Sequence, residues 1–414
     1  MNASLVAAGA DFSHVVQLQT FHNCRTENFS GDFNDQLEAM LAVKAEFMKP
    51  PYSTWTAVCI DRHYSENTVV EIQATAYAPK ATDRNTAMLP HWSFHPEMIF
   101  PADRSLTRSE DGVALTNGRL IVADQADGLR LLSADGSSRP FGRLAEAGYL
   151  HSPPGIVGGA NGVTLEPAGT HLLVSDVFRG GIYRVEIATE ATERVHQHRY
   201  GVNMARGDRG GGIWFTQSTR NNPEHGEEEL FRAVAVAIPD GALFYLPPSK
   251  AGEKRAAVQV AGGLLFANGI ALDEAAGYLY LAETMASRVL RFRLDVAAGR
   301  VSDQTIALEV DHPDNLELDR YNRLWIASPL RMEVLVFDPA TETAGSVFRI
   351  STPESEQLLE TIEARLREGA PWLDLMTPDL WEPGPGLITG MILSPDEGPV
   401  YLTGLGNALI ALKR

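Results

Sequence analysis

The stretch GYLYLAETMASRVLRFRLD (277–295) contains two short β-type runs that are separated by a turn. β-Branched and aromatic residues dominate both runs, which predicts two adjacent strands. The same phrase returns in altered form along the chain. The other copies are NGRLIVADQADGLRLLSADG (117–136), GTHLLVSDVFRGGIYRVEI (169–187), GGIWFTQSTR (211–220), NRLWIASPLRMEVLVFD (322–338) and GPVYLTGLGNALIALK (398–413).

The copies follow one another at roughly 40 to 60 residues, as the four-stranded blades of a propeller do. A β-sandwich would show shorter and less regular spacing, and a TIM barrel would need helical stretches between the strands. The sequence therefore predicts an all-β, six-bladed β-propeller over residues 107–414. SEQLLETIEARLREG (355–369) predicts a helical insertion at about 353–370, before the last blade.

Residues 1–80 have a different texture, which predicts a small α+β module. The segment from Asp32 to Lys49 is helix-like, and the segments from Tyr52 to Ile60 and from Asn67 to Ala78 are strand-like. Residues 81–106 contain prolines and little periodicity, which is typical of a linker or a lead-in strand.

Composition limits the function classes. The formal net charge of -18 argues against nucleic-acid binding, which needs a basic footprint. No stretch approaches the roughly 20 apolar residues of a membrane helix, and the first residues lack the pattern of a secretion signal. We therefore expect a cytoplasmic protein, with Cys24 and Cys59 as reduced structural thiols.

Carboxylate and amide residues recur just before the inner strands of the repeats. They are Glu110, Asp111, Asn161, Asn203, Asn268, Asp314 and Asn315. Corresponding positions of successive blades converge at one end of a propeller channel, and oxygen ligands suit Ca²⁺. A single Asn-Gly or Asp-Asn pair is explained by a turn. A set in register across the repeats favours a cation site.

Three of these segments carry a resemblance to a known family. EDGVALTNGRLIV (110–122), FANGI (266–270) with LYLAETMASRVLRF (279–292), and PDN (313–315) with LWIASP (324–329) resemble the paraoxonase and SMP-30/gluconolactonase superfamily. The resemblance implies a catalytic Ca²⁺, or another divalent cation. It implies ligands or near-ligands at Glu110, Asn203, Asn268, Asp314 and Asn315. It also implies Asp314 as the candidate base.

The second repeat departs from the paraoxonase pattern. The resemblance places a catalytic histidine pair there, but this chain has Asn161 at the first position and Ser175 or Asp176 near the second. Asn161 is similar to a ligand or substrate contact of the gluconolactonase branch. Met204 stands where paraoxonases have an aspartate ligand of a second, structural ion, so we do not predict that ion.

The implied chemistry is hydrolysis of a lactone or ester, in which the ion polarises the carbonyl and orients a water. Asp314 would act as general base or only as a ligand. His151 could overhang the mouth, and Arg220 and His225 could contact substrate, although solvated loop positions explain all three. Two further functions stay open: a non-hydrolytic biosynthetic enzyme (cyclase, condensing enzyme or Diels–Alder-type pericyclase), and a scaffold with a structural ion.

The front segment carries a second resemblance. Residues 7–22, 33–47, 50–60 and 69–79 resemble the later part of a RidA/YjgF domain, a family of homotrimers that hydrolyse enamines or imines. Tyr52 replaces the family's arginine and Gln73 its glutamate, so we do not expect that activity. The segment is interpreted as a docking or an oligomerisation module, and a homo-oligomer could form through residues 1–80. The expected partner of the whole chain is a small-molecule substrate.

Overall fold

A computed structural model describes residues 15–48, 53–61, 63, 68–76, 91–150, 159–222, 224–249, 255–395 and 398–413 of the 414-residue chain. The chain divides into two compact units, Met1–Met88 and Leu89–Arg414. Each unit is described by itself.

In the first unit, a three-stranded sheet accompanies one helix. Its elements are β1 (Val15–Asn23), α1 (Phe33–Phe47), β2 (Thr54–Ile60) and β3 (Val70–Ala76). β1 lies in the centre, parallel to β2 and antiparallel to β3. The side chain of Asp32 caps α1 by accepting from the backbone N–H groups of Asn34 and Asp35. The structure confirms the predicted helix and both predicted strands, and it adds β1.

The two cysteines form a disulfide, so the prediction of reduced thiols was wrong. The parallel register pairs His22 with Cys59, which places Cys24 beside the end of β2. The Cα atoms of Cys24 and Cys59 are 5.7 Å apart, a separation that suits a disulfide. The pairing comes from strand register between segments that the sequence alone does not align.

The second unit begins with β4 (Ile99–Phe100), and its described strands form six four-stranded antiparallel sheets. Sheet 1 contains β5 (Gly112–Ala114), β6 (Leu120–Asp124), β7 (Gly128–Leu132) and β8 (Ser138–Pro140). Sheet 2 contains β9 (Ala160–Leu165), β10 (His171–Asp176), β11 (Gly181–Glu186) and β12 (Thr192–Gln197). Sheet 3 contains β13 (Ala205–Gly207), β14 (Ile213–Gln217), β15 (Gly241–Leu246) and β16 (Val258–Leu264).

The remaining sheets repeat the same order. Sheet 4 contains β17 (Ala267–Asp273), β18 (Tyr278–Glu283), β19 (Arg288–Asp295) and β20 (Arg300–Glu309). Sheet 5 contains β21 (Leu316–Leu318), β22 (Leu324–Ser328), β23 (Glu333–Asp338) and β24 (Thr343–Arg349). Sheet 6 contains β25 (Ile388–Ile392), β26 (Val400–Gly404) and β27 (Leu409–Leu412), and β4 is its fourth strand.

The sheets are arranged in a closed ring. Each first strand contacts the first strands of the preceding and following sheets, and β25 contacts β5. Buried apolar clusters fill the spaces between all six neighbouring pairs of sheets, from Ile121 and Val163 between sheets 1 and 2 to Leu120 and Ile392 between sheets 6 and 1. Burial of one such side chain stabilises the fold by about 1.5–3 kcal/mol. The arrangement is consistent with a propeller.

The N-terminal part of this unit closes the ring. β4 pairs with β27, and Trp92 packs into the cluster between sheets 5 and 6, where its Nε1 donates to the carbonyl oxygen of Lys413 at 3.0 Å. Within the second unit, Leu89–Arg414, the strand β4 lies in the segment 81–106, where a linker or lead-in strand was expected, and it belongs to the last sheet.

Two helices interrupt the pattern of strands in this unit. α2 (Gly226–Ala235) lies between β14 and β15, and α3 (Pro353–Glu368) lies between β24 and β25. α3 confirms the predicted insertion, with Thr352 as its N-cap and Gly369 at its C-terminal end. α2 was expected to be loop. None of the helices in the described residues is long and apolar enough to cross a membrane.

Candidate functional site

Six polar residues, one from each sheet, lie at the start of the first strands. They are Glu110, Asn161, Asn203, Asn268, Asp314 and Thr389, and we name them the polar ring. All six line one cavity of about 780 Å³, a volume that includes its open mouth. The sequence pattern pointed to five of them and missed Thr389, although Thr389-Gly390 repeats the Asn-Gly phrase of the other sheets.

The two Asn-Gly pairs of the polar ring lie inside strands and do not form turns. Asn161 and Gly162 belong to β9, Asn268 and Gly269 belong to β17, and neither glycine has a positive φ. A Cβ added to Gly269 would lie 2.7 Å from Cα of Asn315 in the neighbouring sheet. These glycines are therefore needed for the close approach of adjacent first strands. Turn formation, the alternative explanation of a single pair, therefore does not account for these two pairs.

Three oxygen atoms of the polar ring are buried without a hydrogen-bond partner among the described residues. They are Oε2 of Glu110, Oδ1 of Asn268 and Oδ1 of Asp314, from sheets 1, 4 and 5. The three residues are at most 9% exposed. Each buried acceptor that lacks a partner costs about 1–3 kcal/mol, so three of them in one cavity call for a shared partner.

Burial also opposes the charge on the two carboxylates. It raises the pKa of Glu110, which the guanidinium of Arg108 partly offsets. Burial raises the pKa of Asp314 well above its usual range, and the negative charge of Glu110 raises it further. Two carboxylates in one desolvated site are not both ionised unless a positive charge joins them.

The carbonyl of Asn268 is oriented by its neighbours. Its Nδ2 donates to Oγ1 of Thr284 at 3.1 Å, and that hydroxyl donates to the carbonyl oxygen of Pro313 at 2.7 Å. Because the amide nitrogen is engaged on this side, Oδ1 is the atom left without a partner. Thr284 itself lines the cavity.

Asn161 connects Asn203 with Arg108. Its Nδ2 donates to the backbone oxygen of Asn203 at 3.2 Å and to Oδ1 of Asn203 at 3.3 Å. Its own Oδ1 accepts from Nη2 of Arg108 at 3.5 Å. The oxygen of Asn161 is thus directed to a cation of the chain, and its amide group holds the side chain of Asn203 in place.

Arg108 is a cavity residue that sequence reasoning missed. Its Nη2 lies 3.6 Å from Oε2 of Glu110, beyond hydrogen-bonding reach, and its guanidinium lies 5.6 Å from the ring centroid of Phe178. The residue has a left-handed backbone, with φ of 50°, and its N–H donates to the carbonyl oxygen of Gly406. No local sequence pattern predicts that a loop arginine turns into the ring. His312 also lines the cavity and was missed, and burial lowers its pKa.

Asn315, which was expected among the ligands or near-ligands, is not among the residues that line the cavity, although its Oδ1 is also buried without a hydrogen-bond partner among the described residues. Its Nδ2 donates to the backbone oxygen of Glu110 at 3.4 Å, and its N–H donates to the backbone oxygen of Thr389 at 3.0 Å. In the extended segment that leads into β21, successive side chains point to opposite sides, so Asn315 lies behind Asp314. Its contacts position Glu110.

Asp111, which follows Glu110, also points away from the cavity, where its Oδ2 accepts from the N–H of Val163 at 2.9 Å. Ser175 donates to the backbone oxygen of Asn203 at 2.5 Å. Oδ1 of Asp176 accepts from the N–H groups of Phe178 and Arg179 in the turn after β10. Ser175 and Asp176, which lie near the second histidine position of the paraoxonase pattern, thus form hydrogen bonds with backbone groups.

Two of the three predicted loop contacts lie elsewhere, and the third lies outside the described residues. Arg220 is exposed and lines a separate surface groove beside His198 and Tyr200. His225 is the N-cap residue of α2 and is also exposed. Neither lines the cavity, because the loop 219–229 turns into α2 and presents the helix to the cavity instead. His151 lies outside the described residues.

Apolar side chains form most of the remaining cavity lining. α2 contributes Leu230, Phe231 and Val234, the turn after β22 contributes Leu330, and the segment after α3 contributes Trp372 and Met376. We name these six residues the apolar wall. Nε1 of Trp372 donates to the carbonyl oxygen of Val234 at 3.3 Å and so joins two of these segments. The sequence identified none of them as site residues.

The residues present fit a divalent cation. Glu110, Asp314, Asn268 and Asn203 offer carboxylate and amide oxygens, the hard donors that Ca²⁺ prefers. In the described part of the chain, His, Cys, Asp and Glu do not gather in any group of three or more that could hold a metal. A cation at this site would therefore need the amide oxygens of Asn203 and Asn268 in addition to the two carboxylates. Such a cation would bind the oxygens of Glu110, Asn268 and Asp314 that have no hydrogen-bond partner among the described residues.

Comparison with known families extends the resemblance beyond single motifs. A family model described as SMP-30/Gluconolactonase/LRE-like region matches residues 189–356. The match includes Asn203, Asn268 and Asp314, and it supports the resemblance seen in the sequence. Comparison with curated proteins gives no match. The RidA-like character of the first unit stays a prediction.

Solved structures show the shared fold. A calcium-binding protein, regucalcin from Agrobacterium tumefaciens, is 12% identical with a TM-score of 0.52, and the alignment covers 78% of this chain and 95% of that one. A gluconolactonase from Xanthomonas campestris is 18% identical with a TM-score of 0.49, over 75% of this chain and 87% of that one. The likeness to regucalcin shows a common fold.

Proposed function

We propose that the second unit is a six-bladed propeller that hydrolyses a lactone or ester with a divalent cation, Ca²⁺, held in the polar ring. The observation that carries this proposal is the set of three buried oxygens, on Glu110, Asn268 and Asp314, that have no hydrogen-bond partner in the described part of the chain. The match to the SMP-30/Gluconolactonase/LRE-like region and the fold shared with a calcium-binding protein support it.

Glu110, Asn268 and Asp314 would hold the ion, with Asn203 as a fourth oxygen donor. When bound, the ion polarises the carbonyl of the substrate and lowers the pKa of a coordinated water. Asp314 lines the cavity and would hold the ion through Oδ1, while its other carboxylate oxygen would take the proton of the attacking water. Arg108 lies in the same cavity and stabilises negative charge that develops on the carbonyl oxygen.

A paired measurement tests this proposal. We expect Ca²⁺ to raise the unfolding midpoint of EDTA-treated protein, with a stabilisation of about 2.7 kcal/mol at one hundred times its Kd. Hydrolysis of simple lactones and aryl esters should be lost with EDTA and restored by Ca²⁺. Glu110→Gln and Asp314→Asn should weaken both effects, whereas Glu342→Gln, at an exposed turn, should change neither. Hydrolysis that survives EDTA treatment in full would contradict the proposal.

The apolar wall favours a second candidate function, the cyclisation of an apolar chain within the cavity. The two candidates differ in the use of water. In water enriched with ¹⁸O, a hydrolase incorporates the label into the acid product, and a cyclase leaves its product unlabelled. Product analysis by mass spectrometry decides between them.

We further propose that the first unit joins copies of the chain, as its RidA-like sequence implies. Light scattering of the full-length protein tests this directly. A monomer at all concentrations would contradict it without affecting the proposal for the cavity.

A further inference from the structure

We infer that the substrate is a lactone or ester that carries an alkyl or aryl chain, with its carbonyl at the polar ring and its chain against the apolar wall. This inference rests on the proposed function and names its substrate class. The polar ring supplies a few hydrogen-bonding groups at one part of the cavity, and the apolar wall supplies no charged side chain at all.

The apolar wall is built by the segments that interrupt the strand pattern. α2 packs with Leu230 and Ala233 against Val177, Phe178 and Phe266, which fixes the helix over the loops of sheets 2 and 4. With the helix held in this way, Phe231 and Val234 take their places in the lining of the cavity. The position of α2 is thus set by the burial of these side chains.

The segment after α3 completes this wall from the other side. Trp372 is 2% exposed and lies in the cluster between sheets 5 and 6, together with Leu330 and, at its border, Met376. Its indole N–H is already bonded to the carbonyl oxygen of Val234, so it offers no donor to a ligand. What Trp372 presents to the cavity is therefore apolar surface.

The exposed fraction of Phe231 indicates that the apolar wall binds a ligand. Phe231 is 41% exposed although it lines a cavity, whereas most large apolar side chains of this unit are buried. An apolar chain in the cavity would cover the ring. A polyhydroxylated lactone would instead bring hydroxyl groups that find no partner on the apolar wall, and each of them would lose its hydrogen bonds with water.

The length of the alkyl chain on the substrate should therefore determine the rate of hydrolysis. Hydrolysis is measured for a chain-length series: γ-butyrolactone, γ-hexalactone, γ-octalactone and γ-decanolactone. A separate pair, δ-valerolactone and glucono-δ-lactone, compares a plain ring with a polyhydroxylated one. Each rate is divided by the rate of hydroxide hydrolysis, to remove intrinsic reactivity. We expect kcat/KM to rise about fourfold for each added methylene until the cavity is filled. Glucono-δ-lactone should be a poorer substrate than δ-valerolactone.

Phe231→Ser tests the site of the effect. It should flatten the dependence of kcat/KM on chain length, because serine offers no apolar surface to the added methylene groups. Val236→Ser is the matched control, since Val236 is 53% exposed, follows the same helix and does not line the cavity. Equal behaviour of the two variants would overturn the assignment of Phe231.

A binding measurement separates this inference from the proposed function. The corresponding γ-lactams, which resist hydrolysis, are titrated into the protein by calorimetry. Hydrolysis with no preference for longer chains, or with a preference for glucono-δ-lactone, overturns the inference and leaves the hydrolase in place. Absence of hydrolysis, combined with lactam affinity that rises with chain length, overturns the hydrolase and leaves the apolar binding site. If neither hydrolysis nor chain-length-dependent binding of the lactams is found, both the proposed hydrolase and the inferred substrate class are overturned.

Discussion

Replacing Arg206 with methionine removes a cation that joins three sheets near the centre of the ring. Arg206 belongs to sheet 3. Its Nη2 lies 2.5 Å from Oε1 of Glu317 in sheet 5, and its Nε donates to the carbonyl oxygen of Ile270 in sheet 4 at 3.0 Å. Asp111 of sheet 1 is close enough for the positive charge of Arg206 to lower its pKa against the larger effect of burial. Methionine keeps the apolar stem without the charge.

The expected loss of stability follows from the buried groups that lose their partner when Arg206 is removed. The side chains of Arg206 and Glu317 are 16% and 23% exposed, so this pair is largely desolvated. Removal of one partner from a buried ion pair destabilises a protein by about 3–5 kcal/mol, because the other charge stays buried without compensation. The unpaired carbonyl of Ile270 adds a smaller loss in the same direction. We therefore expect Arg206→Met to lower the free energy of unfolding by about 3–5 kcal/mol.

Guanidinium unfolding, followed by tryptophan fluorescence, measures this loss. Five of the six tryptophans lie after residue 88, so the signal reports mainly on the second unit. Arg139→Met is the control: its partner Glu190 is 2.6 Å away, but the arginine is 53% exposed, and such pairs contribute about 0–1 kcal/mol. Equal losses in the two variants would refute the argument that burial decides the cost.

The pH dependence provides a second check. Burial raises the pKa of Asp111 well above its usual range. As the pH falls, Asp111 takes up a proton in the folded state and no longer needs the neighbouring guanidinium. The deficit of Arg206→Met should therefore shrink towards acidic pH, and a deficit that grows on acidification would contradict this account.

Two further predictions concern the framework of the site. Burial raises the pKa of Asp176 from 3.8 to about 6, so the folded state binds this proton more tightly and loses stability as the pH rises from about 4 to about 6. Asp176→Asn keeps the acceptor for the N–H groups of Phe178 and Arg179, and it should stabilise the protein at pH 8, by at most about 3 kcal/mol, but not at pH 4. Urea unfolding at both values checks this, and an equal shift at both would contradict it. Gly269→Ala should destabilise by about 1–3 kcal/mol and weaken Ca²⁺ binding, since the new Cβ meets backbone atoms of the neighbouring sheet. Gly345→Ala, in open space within β24, is its control in thermal unfolding with and without Ca²⁺.

Much of the fold and part of the candidate site follow from the sequence alone. The repeated strand–turn–strand phrase predicts the sheets because alternation and turn residues act within a few positions of the chain. The recurrence of Glu110, Asn203, Asn268 and Asp314 at the same point of each repeat predicts that they meet, since equivalent positions of a ring of sheets share one end. These are properties of local pattern and repeat number.

The tertiary structure decided the rest. The Asn-Gly phrase looks like a turn in the sequence, but the approach of the neighbouring strand places it inside β9 and β17. Arg108 enters the cavity through a loop conformation, and the wall around Phe231 and Trp372 forms only when segments more than a hundred residues apart pack together. Such contacts depend on distances between sheets. The sequence of any one segment does not contain those distances, so five residues of the polar ring could be predicted, and the apolar wall could not.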